Sequence, residues 1–462
     1  MSPRVRDIRG RLYPAFASVL EEATAGRLRL RFSLSPKLRR GRPAYASAFH
    51  LSYGGAKPAF APVGRFAYAT VGKPDMSLVI ALLVSTAVVL GSPFMGQLQG
   101  FLRRSLSTRQ YVLLFGVGVL VAVGVAILVS VTRIRERRAA RFGLLLAAMA
   151  FGGGYMWATS TPYPEVNAVE RVHFVEYGLI AFLFYRAGMP RRSLGEGERP
   201  AGDVTTIVLP MLAAFVVGTL DEWLQWFIPV RVGEAHDVFL NLVSITCGLM
   251  FALALLPPPA FSMRIGSRGI TRMAIGAAVA WLVFAAFVSQ VHLGFANTVD
   301  GIGTFHSHYT PATLDALQAD RTDRWRANPP ARLRRLSRED QYLDEGLWHV
   351  RRRNLTGGAE AWGENLILER FFAPVLDIPT YASPEGNRWS PEQRADMAAR
   401  LDPAAGAFVS AAEPYPIVAW DETLFWTFVL VVAAALVSPA VAFRFMPRRY
   451  RDRGISAASS SY

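Results

Sequence analysis

The sequence predicts an all-α fold: a polytopic transmembrane helical bundle of about eight helices, with a mainly helical extracytoplasmic insert before the last of them. Three observations lead there. Apolar residues make up 52% of the 462 residues, and mean hydropathy is +0.24. They gather into long runs, and a helix needs ~20 mostly apolar residues to cross a ~30 Å hydrocarbon core. Charged residues are only 18%, although the net charge is +15, and arginines cluster in the short links between runs. A basic excess points to nucleic acid or to an anionic membrane surface. The apolar runs select the membrane, so the expected partner is the lipid bilayer and not nucleic acid.

Residues 1–76 come first and stand apart. Arg4, Arg6, Arg9, Arg11, Arg27, Arg29, Arg31, Lys37, Arg39 and Arg40 make them basic. They carry several Pro and Gly and no sustained apolar period. They read as a disordered arm or as a mis-assigned start, since Met76 directly precedes the first run. Three runs follow in 77–160: Ser77 to Met95, Tyr111 to Val131 and Phe142 to Thr159. The next three fill 161–258. Val172 to Ala187 is short and polar at its start, Val204 to Ile228 follows, and Ala235 to Leu256 again starts polar. Ile270 to Val291 is the seventh run, within 270–292, and Thr423 to Phe443 the eighth. A basic tail, 444–462, closes the chain.

Lysine and arginine in short loops mark the cytoplasmic side. Arg133, Arg135, Arg137, Arg138 and Arg141 fill the second loop. Arg186, Arg191, Arg192 and Arg199 fill the fourth, and Arg264, Arg268 and Arg272 the sixth. With eight helices these loops, the tail and the basic arm share one side. Both termini are therefore expected in the cytoplasm. The first loop, with Arg103, Arg104 and Arg109, breaks the rule.

The insert, 293–420, holds 14 Arg and 17 Asp or Glu. It is nearly neutral, which argues against a nucleic-acid module. Helices are expected at Pro311 to Asp320, Ser337 to Arg353, Ala359 to Phe372 and Ser390 to Leu401. Thr310-Pro311 and Ser390-Pro391 each read as an N-cap followed by proline at the first helical position. Gln393, three residues after Ser390, completes a capping-box spacing. Trp348, Trp362, Phe371, Phe372 and Trp389 supply aromatics for a small core, or for a surface that takes sugar or lipid headgroups.

Chemistry-bearing residues concentrate in the fourth to sixth runs. Ionisable groups in a bilayer are costly, so they face a bundle interior, a cavity or the interface. Helical spacing puts Glu170, His173 and Tyr177 on one face, flanked by Glu176. Gln225 lies angularly between Asp221 and Glu222. Asp237 and Asn241 are one turn apart, and Arg231 sits in the link before them. In the eight-helix topology all of these fall in the outer half, where they can share one polar pocket opening toward the insert. The chain has one cysteine, Cys247, which excludes a disulfide framework and a cysteine-based metal motif. No HExxH-type motif is present, and no metal or cofactor is expected.

These residues resemble those of a known family. HFVEYGL from His173 to Leu179, GTLDEWLQWFIPVR from Gly218 to Arg231, then Asp237 and Asn241 are similar to the VanZ-like membrane protein family. Its pattern is an acidic or basic residue and His before an aromatic and Tyr, then Asp-Glu-x-x-Gln, Pro-x-Arg and Asp-x-x-x-Asn. The match spans about Thr159 to Leu256. Glu170-Arg171 stands where the family has Asp-Lys, and Ser244 and Gly248 stand in the region of its usual glycine. The resemblance implies a polytopic protein of the bacterial cell envelope, linked to tolerance of glycopeptide antibiotics such as teicoplanin. The family's biochemical activity is not established.

Three readings of the polar residues stay open. They can be interhelical hydrogen bonds that hold the bundle together. They can line a pocket for an amphiphilic or cell-wall-related ligand, with Arg231 meeting a phosphate or carboxylate. Or they can be catalytic, with His173 or Glu222 as general base on a lipid-linked envelope intermediate.

Overall fold

The computed structural model describes residues 75–161, 164–189, 201–228, 233–258, 260–263, 265–327, 339–377, 386–401, 407–411 and 417–445. The chain divides into Met1–Thr70 and Val71–Tyr462, and everything described belongs to the second unit. The basic arm, Arg231 and most of the basic tail lie outside the described residues.

Helices α1 (Met76–Ser105), α2 (Thr108–Arg133), α3 (Arg138–Ala158) and α4 (Pro164–Gly188) come first in chain order. Strand β1 (Ala201–Asp203) precedes α5 (Thr205–Trp226) and α6 (Ala235–Leu255), and β2 (Ala260–Ser262) precedes α7 (Ser267–Val291). The 293–420 segment follows, and α13 (Glu422–Phe445) ends the described chain. Seven helices among the described residues are long and apolar enough to cross a membrane: all of these long helices except α4. Helix α4 is 25 residues long, so length does not exclude it. Its charges set it apart from the other seven: Glu165, Glu170, Arg171, Glu176 and Arg186 are spread along it.

Two sequence boundaries move outward by eight residues or more. The fourth run was expected from Val172, but α4 starts at Pro164, where proline suits a first helical turn and Glu165 favours the positive dipole end. The first run was expected to stop at Met95, but α1 continues through Pro93 to Ser105. Proline inside such a helix is tolerated where neighbouring helices re-satisfy the freed backbone groups.

Burial explains why α4 carries the charges. It packs against α1, α2, α3, α5 and α6, so its polar face meets protein and not hydrocarbon. Its tightest neighbour is α6. A Cβ placed on Gly248 would lie 2.3 Å from the Gly178 carbonyl oxygen and 2.5 Å from its Cα. The two backbones therefore touch, the close approach that small residues permit between membrane helices. Tyr177, Ile180, Ala181, Ile245 and Leu249 form the apolar core around that contact. At one end of the bundle the last carbonyls of α6 are capped from α3: Arg141 donates to Ala254 O (2.6 Å) and Leu255 O (2.8 Å). A cation there also complements the helix dipole. Parallel pairing of β1 with β2 ties together the links before α5 and α7 at that end.

The 293–420 segment is helical with a small sheet that the sequence reading lacks. Strand β3 (Leu293–Val299) runs antiparallel to β4 (Gly303–Ser307), with Phe295 opposite Ser307 and Val299 opposite Gly303. Strand β5 (Val418–Ala419) adds in parallel, Leu293 opposite Val418. Gly303 has φ +121°, and a Cβ there would meet Phe408 O at 2.2 Å, so this turn requires glycine. The helices are α8 (Pro311–Ala327), α9 (Glu339–Leu355), α10 (Gly358–Phe371), α11 (Ala373–Asp377) and α12 (Pro391–Ala399). The Ser390–Gln393 capping box forms in both directions, at 3.0 and 3.2 Å. Phe305, Trp325, Tyr342, Phe371 and Phe372 build the core. The tryptophans expected there stay half-buried. Trp362 and Trp389 instead face Arg394 and Arg353, at 5.1 and 4.9 Å from the ring centres, where a guanidinium gains from the ring quadrupole.

Segment and bundle are stitched at the bundle's other end. Gln341 of α9 donates to the Trp226 carbonyl at 2.8 Å. His308 Nε2 lies 2.7 Å from the Val291 carbonyl, and its Nδ1 lies 3.3 Å from Glu345. The Ala235 N–H donates to His292 Nε2 at 2.9 Å. The ends of α5 and α7 therefore meet segment 293–420, and the start of α6 is tied to the end of α7 through His292.

Candidate functional site

Two adjacent carboxylates on α5 form the centre. Asp221 is 3% exposed and Glu222 fully buried. One turn later Gln225 reaches both with one amide nitrogen, 2.9 Å from Asp221 and 3.2 Å from Glu222. That is the i, i+3 and i, i+4 geometry of one helix face.

Other helices complete the shell. Tyr177 of α4 donates its hydroxyl to Asp221 at 2.7 Å. Asn241 of α6 donates to Glu222 at 3.4 Å. Ser92 of α1 donates a short hydrogen bond to the other Asp221 oxygen. Glycines let these groups meet. A Cβ on Gly218 would lie 3.2 Å from the Asn241 Cβ and 3.4 Å from the Tyr177 ring. A Cβ on Gly233 would lie 2.3 Å from the Glu222 carbonyl oxygen, so the chain entering α6 is pressed against the last turns of α5.

Asp221 thus accepts three hydrogen bonds from three helices. Burying an ionised carboxylate costs several kcal/mol. Hydrogen bonds to charged groups return ~1.5–3 kcal/mol each, so three are of the right size to offset it. The arrangement makes the carboxylate a structural knot as well as a polar site.

Toward the end that meets segment 293–420 the polar residues become accessible. The His173 ring stacks on Tyr177, 5.7 Å between centres and 9° from parallel. His173 Nδ1 lies 4.0 Å from a Glu176 oxygen, with the two side chains 12% and 33% exposed. Glu170 is half-buried and lies within electrostatic reach of His236 and Glu234. Asp237 is also half-buried. Glu170 to Tyr177 is seven residues, or ~10 Å along the helix. A polar ladder therefore descends α4 from an accessible mouth to the sealed Asp221.

Of the residues singled out from sequence, Tyr177, Asp221, Glu222, Gln225 and Asn241 converge in one network. Glu170, His173 and Glu176 continue it along α4, Asp237 stands on α6 near its mouth, and Arg231 lies outside the described residues. Ser92 was missed. Its only signal was a serine before Pro93 in an otherwise apolar run. Cys247 packs as a small core residue, with Sγ 3.4 Å from the Ala148 carbonyl and next to Gly152. Among the described residues no three His, Cys, Asp or Glu side chains come together as a metal-ligand set.

Two cavities lie beside α4. One, of about 370 Å³, is lined by Arg103, Thr108, Tyr111, Glu165 and Arg351. The other, of about 350 Å³, is apolar and lies between α1, α2 and α4. Comparison with family models, with curated proteins and with solved structures finds no match for this chain.

Proposed function

We propose that this chain is an eight-pass protein of the bacterial plasma membrane, of the VanZ-like type, that binds an amphiphilic envelope component without transforming it. In this reading α4 is the eighth crossing, both termini are cytoplasmic and segment 293–420 lies outside. The polar network then sits in the outer half of the bilayer, beneath that segment. One observation carries the proposal: the graded accessibility of the network. Its deep end, Asp221 and Glu222, is sealed by partners from α1, α4 and α6. Its mouth, at Glu170, His173, Glu176 and Asp237, stays half-exposed. A sealed carboxylate pair suits an anchor that holds a mouth in shape. A catalytic base needs reach to the proton it removes, and among these groups only the mouth offers it.

The test uses a phenotype. Expression in a glycopeptide-susceptible bacterium is expected to raise the teicoplanin concentration needed to stop growth. Glu222→Gln and His173→Asn keep size and much of the hydrogen bonding, and both are expected to retain that tolerance. Loss of tolerance in both, with the protein still folded and in the membrane, would favour the alternative, an enzyme acting on a lipid-linked intermediate with His173 and Glu222 as acid and base. No change in tolerance on expression of the unaltered chain would remove the glycopeptide link.

A further inference from the structure

The first loop was the exception to the charge bias, and the structure gives it a use. At the end of the bundle that carries segment 293–420, the other short links are poor in cations: 159–163 has none and 227–234 only Arg231. Yet Arg103, Arg104 and Arg109 flank the α1–α2 turn. Arg103 lines the 370 Å³ cavity there, together with Arg351, which reaches in from α9. Both arginines are exposed. Arg103 also lies 5.6 Å above the Tyr111 ring. Tyr111 is 1% exposed, and its buried hydroxyl has no hydrogen-bond partner among the described residues. An orphaned buried hydroxyl is rare in a folded protein and marks a place for a missing partner. Glu165, the cavity's acid, accepts from Thr108 at 2.7 Å and also lies within electrostatic reach of Arg103.

The apolar cavity is lined by neighbouring positions on the same helices. Leu102 lies next to Arg103 on α1, Leu114 and Phe115 one turn from Tyr111 on α2, and Val172 two turns from Glu165 on α4. Helices α1 and α2 pack on α4 more than on each other, which leaves this groove between them. Gly118 on its wall has nothing within 4 Å of an added Cβ. A cationic, hydroxyl-bearing mouth over an apolar groove of membrane-facing helices matches one chemistry: an anionic headgroup on an acyl chain.

We propose that the α1–α2 turn, Tyr111 and Arg351 form a binding site for a phosphate-bearing lipid, its phosphate between Arg103 and Arg351 and one chain in the α1–α2–α4 groove. Tyr111 donates its hydroxyl to the phosphate. Because Arg351 belongs to α9, an occupied site also clamps segment 293–420 to the first two helices. The site stands apart from the Asp221 network, so loss of the phenotype in the network variants would leave it intact.

The test titrates the full chain, purified in detergent, with dioleoyl phosphatidylglycerol and counts retained lipid by native mass spectrometry. One retained lipid per chain is expected. Removing both guanidinium contacts, Arg103→Gln with Arg351→Gln, is expected to weaken retention at least tenfold. Arg351→Gln alone, an exposed change, keeps the test valid should the double variant unfold. Tyr111→Phe is expected to weaken it about three- to tenfold, one hydrogen bond to a charged group. Gly118→Leu grows into open space and is expected to displace the acyl chain without lowering thermal stability. The proposal is overturned if retention survives both Arg351→Gln and Gly118→Leu. It is also overturned if inorganic phosphate competes as well as the lipid, or if the groove is filled by a second copy of the chain in a lipid-free dimer.

Discussion

Gly248→Ala is the smallest change that should disturb the whole site. The new methyl would sit 2.3 Å from Gly178 O, 2.5 Å from its Cα and 2.8 Å from its carbonyl carbon. All three are backbone atoms, so no side chain can rotate away. Carbon contacts are comfortable near ~3.5–4.0 Å, so α4 and α6 must part locally by about 1 Å. Overpacking of this kind costs ~1–3 kcal/mol. Parting also displaces Tyr177, the neighbour of Gly178, from its 2.7 Å bond to Asp221, and leaving that buried pair unmade costs a further ~1–3 kcal/mol. Alanine offsets up to ~1 kcal/mol through its better helix propensity. The net expectation is a destabilisation of about 1–5 kcal/mol. It is measured by reversible unfolding in mixed micelles, followed by circular dichroism. Gly154→Ala in α3 is the control, since nothing lies within 4 Å of its added Cβ, and it should not destabilise. If Gly248→Ala is as stable as Gly154→Ala, the two helices do not touch as described, and the placement of Tyr177 against Asp221 loses its support.

Asp221→Leu removes the acceptor for Ser92, Tyr177 and Gln225 together. It should lower stability by several kcal/mol in the same assay, at ~1–3 kcal/mol per stranded buried group, while Asp221→Asn, which keeps one oxygen, should lose less; a leucine variant as stable as the parent would refute the knot. In segment 293–420 burial pushes the Asp344 carboxyl up to about 7. Its folded form holds the proton more tightly than the unfolded chain, so its contribution is fully present below about pH 4 and is lost as pH rises toward 7. Asp344→Asn should therefore raise the melting temperature at pH 8 and leave it nearly unchanged at pH 4; equal effects at both would show that the carboxyl does not titrate as described. For orientation, Ala395→Cys on the exposed face of α12, in a Cys247→Ser background, should react with an impermeant maleimide on intact cells. Reaction only after the membrane is breached would place segment 293–420 inside.

The polar pattern was legible because helical periodicity is strict. Glu170, His173 and Tyr177 share a face by spacing alone, as do Asp221 and Gln225, and three such faces at one depth implied a meeting point. The partner across the gap was not legible. Ser92 comes from a run about 130 residues away in sequence, and nothing in an isolated serine says which acid it will meet. Gly248 read only as an imperfect match to a pattern. Its role appeared once Gly178 was seen against it, because close approach belongs to a pair of helices. Strands β3 and β5 were equally hidden, since β5 is two residues long and exists only through its pairing with β3.

Sequence by itself determined that this chain belongs in a membrane, where its apolar helices lie and which of them carry charge. Those properties are local, set by hydropathy, spacing and caps within one segment. Tertiary structure decided that the most charged of the long bundle helices is the central one, and that its polar face ends in a sealed carboxylate pair. It also decided that Arg103 of the first loop shares a cavity with Arg351 from a distant segment. Each of these depends on which elements pack together, and a buried charge is stable only where packing supplies its partners.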